Sequence, residues 1–175
     1  MTTGETTVTG ERADLLEGLA KQRYFLRYTV RDLADEQAAE RTTASELCLG
    51  GLIKHVTFGE RQWVSFIVKG PSAVASAWEA DGGTSDWLDS FRMLPGDTLA
   101  GLLDEYDRVA RQTDELVATL PDLDSSHPLP EAPWYEPGAR WSARRVLLHV
   151  IAETSQHAGH ADIIRESLDG AKSMG

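Results

Sequence analysis

Apolar residues recur every three to four positions in four separate stretches of this chain, and no alternating pattern persists between them. That period is helical, and it gives each stretch one apolar face that must be covered. From about Glu11 the first stretch carries Leu15, Leu19, Leu26, Val30 and Leu33, with Arg, Lys and Asp between them. The second carries Leu49, Leu52, Ile53, Val56, Trp63 and Ile67. Thr43 with Glu46 three residues later reads as a capping box that opens it. Gly70-Pro71 ends it, because glycine suits a C′ position and proline cannot continue the ladder. The third runs from about Asp97 to Leu120 on Leu99, Leu102, Leu103, Tyr106, Val109, Thr113, Leu116 and Val117, with Pro121 beyond it. Ser142 caps the fourth, which carries Ala143, Leu147, Val150, Thr154, Ala158, Ala161, Ile164 and Leu168 before Gly170. Four amphipathic helices of this length cover one another, so the predicted fold is all-α, a four-helix bundle with longer connections between helices two and three and between three and four.

The connections are less regular. Residues 71–96 hold Trp78, Trp87, a Gly-Gly pair and Pro95-Gly96, which predicts a loop with a short helix around Ser85–Arg92; residues 121–140 form a Pro- and Asp-rich loop bearing Trp134 and Tyr135. Residues 1–9 are expected to be flexible. With no internal repeat, 175 residues suit one domain spanning 1–175. Seventeen basic against 28 acidic residues give a net charge of −11, which disfavours nucleic acid and anionic membranes as partners. No run approaches the ~20 apolar residues of a membrane span. The N-terminus has neither a basic nor an apolar signal region, so the expected location is cytoplasmic. Cys48 is the one cysteine; it cannot form an internal disulfide, and between Leu47 and Leu49 it reads as a small buried hydrophobe.

The fourth helix also carries the segment ETSQHAGH, Glu153 to His160, with His149 a turn upstream. On a helical wheel His149, Glu153, His157 and His160 fall within an arc of about 80° that overlaps the apolar stripe. Glu153 and His157, at i and i+4, share one face and can offer two ligands to one cation. A carboxylate turned toward a bundle interior needs a counter-charge. On the second helix His55 lies about 60° from Leu52, and Gly59 one turn on leaves room beside it. Two histidines and a carboxylate form a catalytic zinc set with coordination left for water or substrate; nickel, iron or manganese suit the same donors. The competing reading is a satisfied polar cluster on a helix face, with His55 a core-edge histidine, and spacing alone does not separate the two.

The segments RWSARRVLLHVIAETSQHAGHADIIRESLDG and LCLGGLIKHVTFGERQW resemble the DinB-like superfamily, and within it an actinobacterial branch related to mycothiol-dependent enzymes. The likeness extends from helix one to Gly170, is weakest in 71–96, and rests most specifically on HxxxExxxHxGHxD. It implies a four-helix bundle, a homodimer, and a divalent metal held by His55, Glu153 and His157, with glutamate at the middle position as in mycothiol-dependent maleylpyruvate isomerases. The implied activity is a detoxifying transferase: a metal-activated low-molecular-weight thiol, mycothiol, is conjugated to a small electrophile. His160 is then a candidate catalytic base on the substrate side or a group that supports the metal ligands, His149 a supporting or structural group, and Trp63 and Trp134 candidate walls. Two other readings stand beside it: an isomerase of the maleylpyruvate type that uses the thiol catalytically, and a non-catalytic metal-binding bundle.

Other positions read more plainly. Glu60 lies within helix two's apolar face and is expected to be a partly exposed carboxylate, or to pair with Arg144, Arg145 or a site histidine. Asp162 and Arg165 read as a surface ion pair, and His127 in SSHPLP has no evident partner. There is no phosphate-cradling glycine loop and no nucleophile elbow, which disfavours nucleotide and serine-hydrolase chemistry.

Overall fold

The computed structural model describes residues 8–74 and 85–173; the expectations for residues 1–7, Trp78 and the Gly-Gly pair lie outside them. Four long helices appear as predicted: α1 (Glu11–Thr29), α3 (Leu49–Lys69), α5 (Leu99–Thr119) and α6 (Ala143–Asp169), with short helices α2 (Asp35–Ala39) and α4 (Ser85–Ser90) in the connections. Helix α6 packs on α1 and α3, and α3 also packs on α5, while α1 and α3 face each other across the diagonal with few contacts.

Two apolar clusters set the direction of each helix. One joins Leu26 and Val30 to Leu49, Leu52, Ile53, Leu99, Ala161 and Ile164. The other joins Leu15 and Leu19 to Phe66, Val117, Ala143, Val146 and Leu147. Helices α1 and α6 therefore run one way and α3 and α5 the other. The α3–α5 connection must return along the length of the bundle, and that return places α4 against the N-terminal half of α3. At each end a guanidinium meets carbonyls that a helix terminus leaves unpaired. Arg12 donates to Val117 O and Leu120 O at the end of α5. Arg165 donates to Thr29 O at 2.8 Å and Arg31 O at 2.7 Å at the end of α1.

Several local expectations are corrected. Helix α1 stops at Thr29, short of Val30 and Leu33, and Asp32 takes a left-handed φ of 58°. The capping box at Thr43 and Glu46 does not form: Thr43 Oγ1 accepts from Ser45 N, and Glu46 pairs with Arg41. The N-cap of α3 is Cys48, whose Sγ accepts from Gly51 N at 3.4 Å while the side chain stays buried. A short antiparallel pair, β1 (Ser126–Pro128) with β2 (Arg140–Ser142), closes the 121–140 loop where no strand was expected; with three residues a side it is too brief to show alternation. Arg165 is buried and pairs with Asp169, not Asp162, which accepts from Ser173 N.

Between the two clusters lies a polar layer. Glu60 Oε1 accepts from Arg23 Nη2 at 2.5 Å and from Thr113 Oγ1 at 2.6 Å, while Arg23 Nη1 reaches Asp114 at 2.8 Å. The Glu60 side chain is fully buried, so its expected exposure and its expected partners are both overturned. Arg144 is held instead by Glu11 and Asp124, and Arg145 lies over Trp141. The pair was visible in principle: Arg23 sits between Leu19 and Leu26 on the α1 stripe as Glu60 sits on that of α3, and opposite charges on two buried stripes must meet.

Candidate functional site

Beside this layer, lined by residues of α3 and α6 and by Trp87 of α4, is a cavity of about 150 Å³. His55, Glu153 and His157 all line it, together with Glu60, Gln62, Thr154 and the apolar walls Val56, Phe58, Trp63, Trp87 and Val150. Gly59 also lines it, and a Cβ built there meets nothing within 4 Å; the room expected beside His55 is present.

His55 is fixed from the crossover side. Its ring stacks on Phe91 with centroids 3.8 Å apart, and its Nδ1 lies 2.9 Å from Ser90 Oγ, which donates in turn to Trp87 O. This close approach depends on Gly50 and Gly51 in the first turn of α3. A Cβ on Gly51 would overlap the Phe91 carbonyl, and one on Gly50 would overlap Met93. The segment that supplies Ser90 and Phe91 can touch α3 only because those two side chains are missing.

His157 is buried and stands across from the half-buried His55, with ring centroids 4.9 Å apart at 76°. Its Nε2 faces Glu153 Oε2 at 3.8 Å, and its Nδ1 lies 3.5 Å from Nδ1 of His160. Burial, and then the neighbouring His157, push His55 down to about 4. Burial, and then His160, lower His157 in the same direction. Both rings are therefore neutral near pH 7, the form in which imidazole binds a metal. In each, Nδ1 is engaged and Nε2 is the nitrogen left for a ligand, which is the usual arrangement of metal-bound histidine. The donor set thus fits a divalent cation in kind. Among the described residues, no three His, Cys, Asp or Glu side chains are gathered as a metal-holding group as they stand; the Glu153 side chain is 45% exposed.

The remaining candidates divide. His160 stands behind His157 and does not line the cavity. His149 packs T-shaped with Trp63 and with Trp141, and burial, opposed by the charge of Glu153, lowers its pKa. Trp63 is a wall, stacked on Trp141 at 4.9 Å, whereas Trp134 is exposed and outside the lining. His127 has a partner after all, its Nε2 3.2 Å from Ile67 O and its ring against Phe66. Ser90 and Phe91 were missed, since nothing in a loop-like sequence says which helix it will lie on.

The chain matches the family model described as Mycothiol-S-transferase over residues 14–170. No curated protein matches it. Among solved structures it is similar to a conserved protein from Enterococcus faecalis, with 13% identity and a TM-score of 0.70, over 94% of this chain and 100% of that one. That likeness shows the fold.

Proposed function

We propose, from the premise that this chain belongs to the mycothiol-S-transferase family, a DinB-like family, that it conjugates a low-molecular-weight thiol, mycothiol, to an electrophile at the cavity between His55 and His157. The observation that carries the reading is the pairing of two neutral imidazoles, His55 half-buried and His157 buried, each anchored through Nδ1, beside a carboxylate on the same cavity wall. His55, His157 and Glu153 would hold a divalent ion, zinc by preference, which when bound supplies the charge that lowers a thiol's pKa toward neutrality.

The rest falls to the chain's own groups. Ser90 Oγ and the Phe91 ring fix the plane of His55, and His160 fixes that of His157 from behind, the supporting role of the two that the sequence offered it. Val56, Phe58 and Val150 exclude water from the reacting sulfur, which keeps it nucleophilic. In the reaction R–SH + R′–X → R–S–R′ + H⁺ + X⁻, the S–C bond forms, and the C–X bond breaks with its electron pair on X. The thiol proton passes to water at the mouth, where Glu153 meets solvent.

The test is elemental analysis of purified wild type and His157→Ala, each reconstituted with zinc, beside a thiol-consumption assay. The expected result is close to one metal per chain in wild type, loss of it in the variant with the helical circular dichroism retained, and thiol consumed one for one with electrophile. Wild type that binds no metal after reconstitution returns Glu153 and His157 to a plain polar cluster.

A further inference from the structure

The cavity's walls say what kind of electrophile it takes, an inference that rests on the transferase reading above. No Lys or Arg lines it among the described residues, and the stretch 75–84 contains none. Arg23, which pairs with the lining Glu60, is committed to that carboxylate and to Asp114. Of the two lining carboxylates, Glu60 is buried and matched by Arg23, so Glu153 is the one that presents its charge to the space. An anionic substrate would shed its hydration with no counter-charge from the chain, against the local field. With Glu153 and a thiolate matching a divalent ion charge for charge, a dianion would be surplus charge.

The apolar lining mixes valines with aromatic rings. Indoles stand at two points of the wall, Trp87 against His55 and Trp63 two turns further along α3, about 12 Å away at the helical rise. Trp141 stacks on Trp63, and Phe66 and His149 meet it at steep angles, so the indole is held among three rings where it lines the cavity. Rigid aromatic walls favour a planar apolar ring.

We infer that the electrophile is uncharged and carries an aromatic ring, received against Trp63 and Trp87, and that dicarboxylates are excluded. This separates the transferase from an isomerase of maleylpyruvate type, whose substrate is a dianion.

Saturation-transfer NMR of the zinc-reconstituted protein tests it, with benzyl alcohol as the unreactive aromatic probe and maleate as the dianion. Benzyl alcohol should bind saturably and maleate should not. Trp63→Ala should weaken benzyl alcohol about tenfold, Trp63→Phe should restore part of the loss, and Ile163→Ala, on the exposed face of α6, should change nothing. Should Trp63→Ala fail to fold, the half-exposed Trp87→Ala probes the same wall. Tighter binding of maleate, or wild-type affinity for benzyl alcohol in the tryptophan variants, overturns the inference. Thiol consumption with benzyl bromide is measured separately. Aromatic binding without it retires the transferase reading and leaves the aromatic site. Thiol-dependent turnover of a dicarboxylate without aromatic binding does the reverse.

Discussion

Removing the Glu60 carboxylate would leave the Arg23 guanidinium buried with only the half-exposed Asp114 to face. Breaking one side of a buried pair costs about 3–5 kcal/mol, so Glu60→Ala should lower the free energy of unfolding in urea by that order. A loss under about 1 kcal/mol would mean the pair behaves like a surface one. At this scale the candidate ligands were the most legible part of the molecule, because i and i+4 on one helix fix two side chains without any knowledge of the fold. His55 was legible for a similar reason, lying on a stripe margin. The roles around them were not. That His160 contacts His157 rather than the cavity depends on side-chain rotation, and the Ser90 contact depends on a chain path that no periodicity encodes.

At the scale of elements, the first turn of α3 is where the crossover is seated. Gly51→Ala should destabilise the protein by about 1–3 kcal/mol, because backbone atoms of Phe91 have no room to yield. It should also speed hydrogen exchange in residues 87–94. Gly59→Ala, in the same helix with open space around its Cβ, should be neutral or stabilising by up to about 1 kcal/mol from helix propensity. Equal effects at both positions would show that propensity, not contact, governs this helix. The four long helices were legible because their faces repeat over many turns. The errors came at ends: a capping box at Thr43 that yields to a buried cysteine cap, α1 ending before its last apolar residues, and a three-residue strand pair. End structure is decided by single tertiary contacts that outweigh local preference.

For the molecule as a whole, ion pairs act as ties between elements. Glu11 is held below the usual carboxylate range by Arg144 of α6, against a smaller cost of burial. Burial raises Asp97, but Lys54 of α3 and the Leu94 N–H together lower it further than burial lifts it. Arg108 beside Glu105, opposed by partial burial and helped by Arg61 of α3, lowers Glu105. Each folded pKa lies below its unfolded value, so these ties are complete above the unfolded values, 4.5 for Glu and 3.8 for Asp, and are lost as pH falls through the folded ones. Urea midpoints should therefore drop most steeply below about pH 4.5, the same range in which 28 acidic groups lose the charge that offsets 17 basic ones. A midpoint that holds steady to pH 3 would mean the ties contribute nothing.

Gly59 carries a further consequence. It borders the cavity, yet its missing side chain is required by no neighbour. Most positions that shape a binding space also hold the fold together, so selection cannot change one without risking the other. Here the two are uncoupled. A lineage can narrow this cavity by a methyl, a hydroxyl or a branched side chain in a single codon step, with the bundle left intact. Substrate range in such a protein is therefore open to divergence faster than its scaffold.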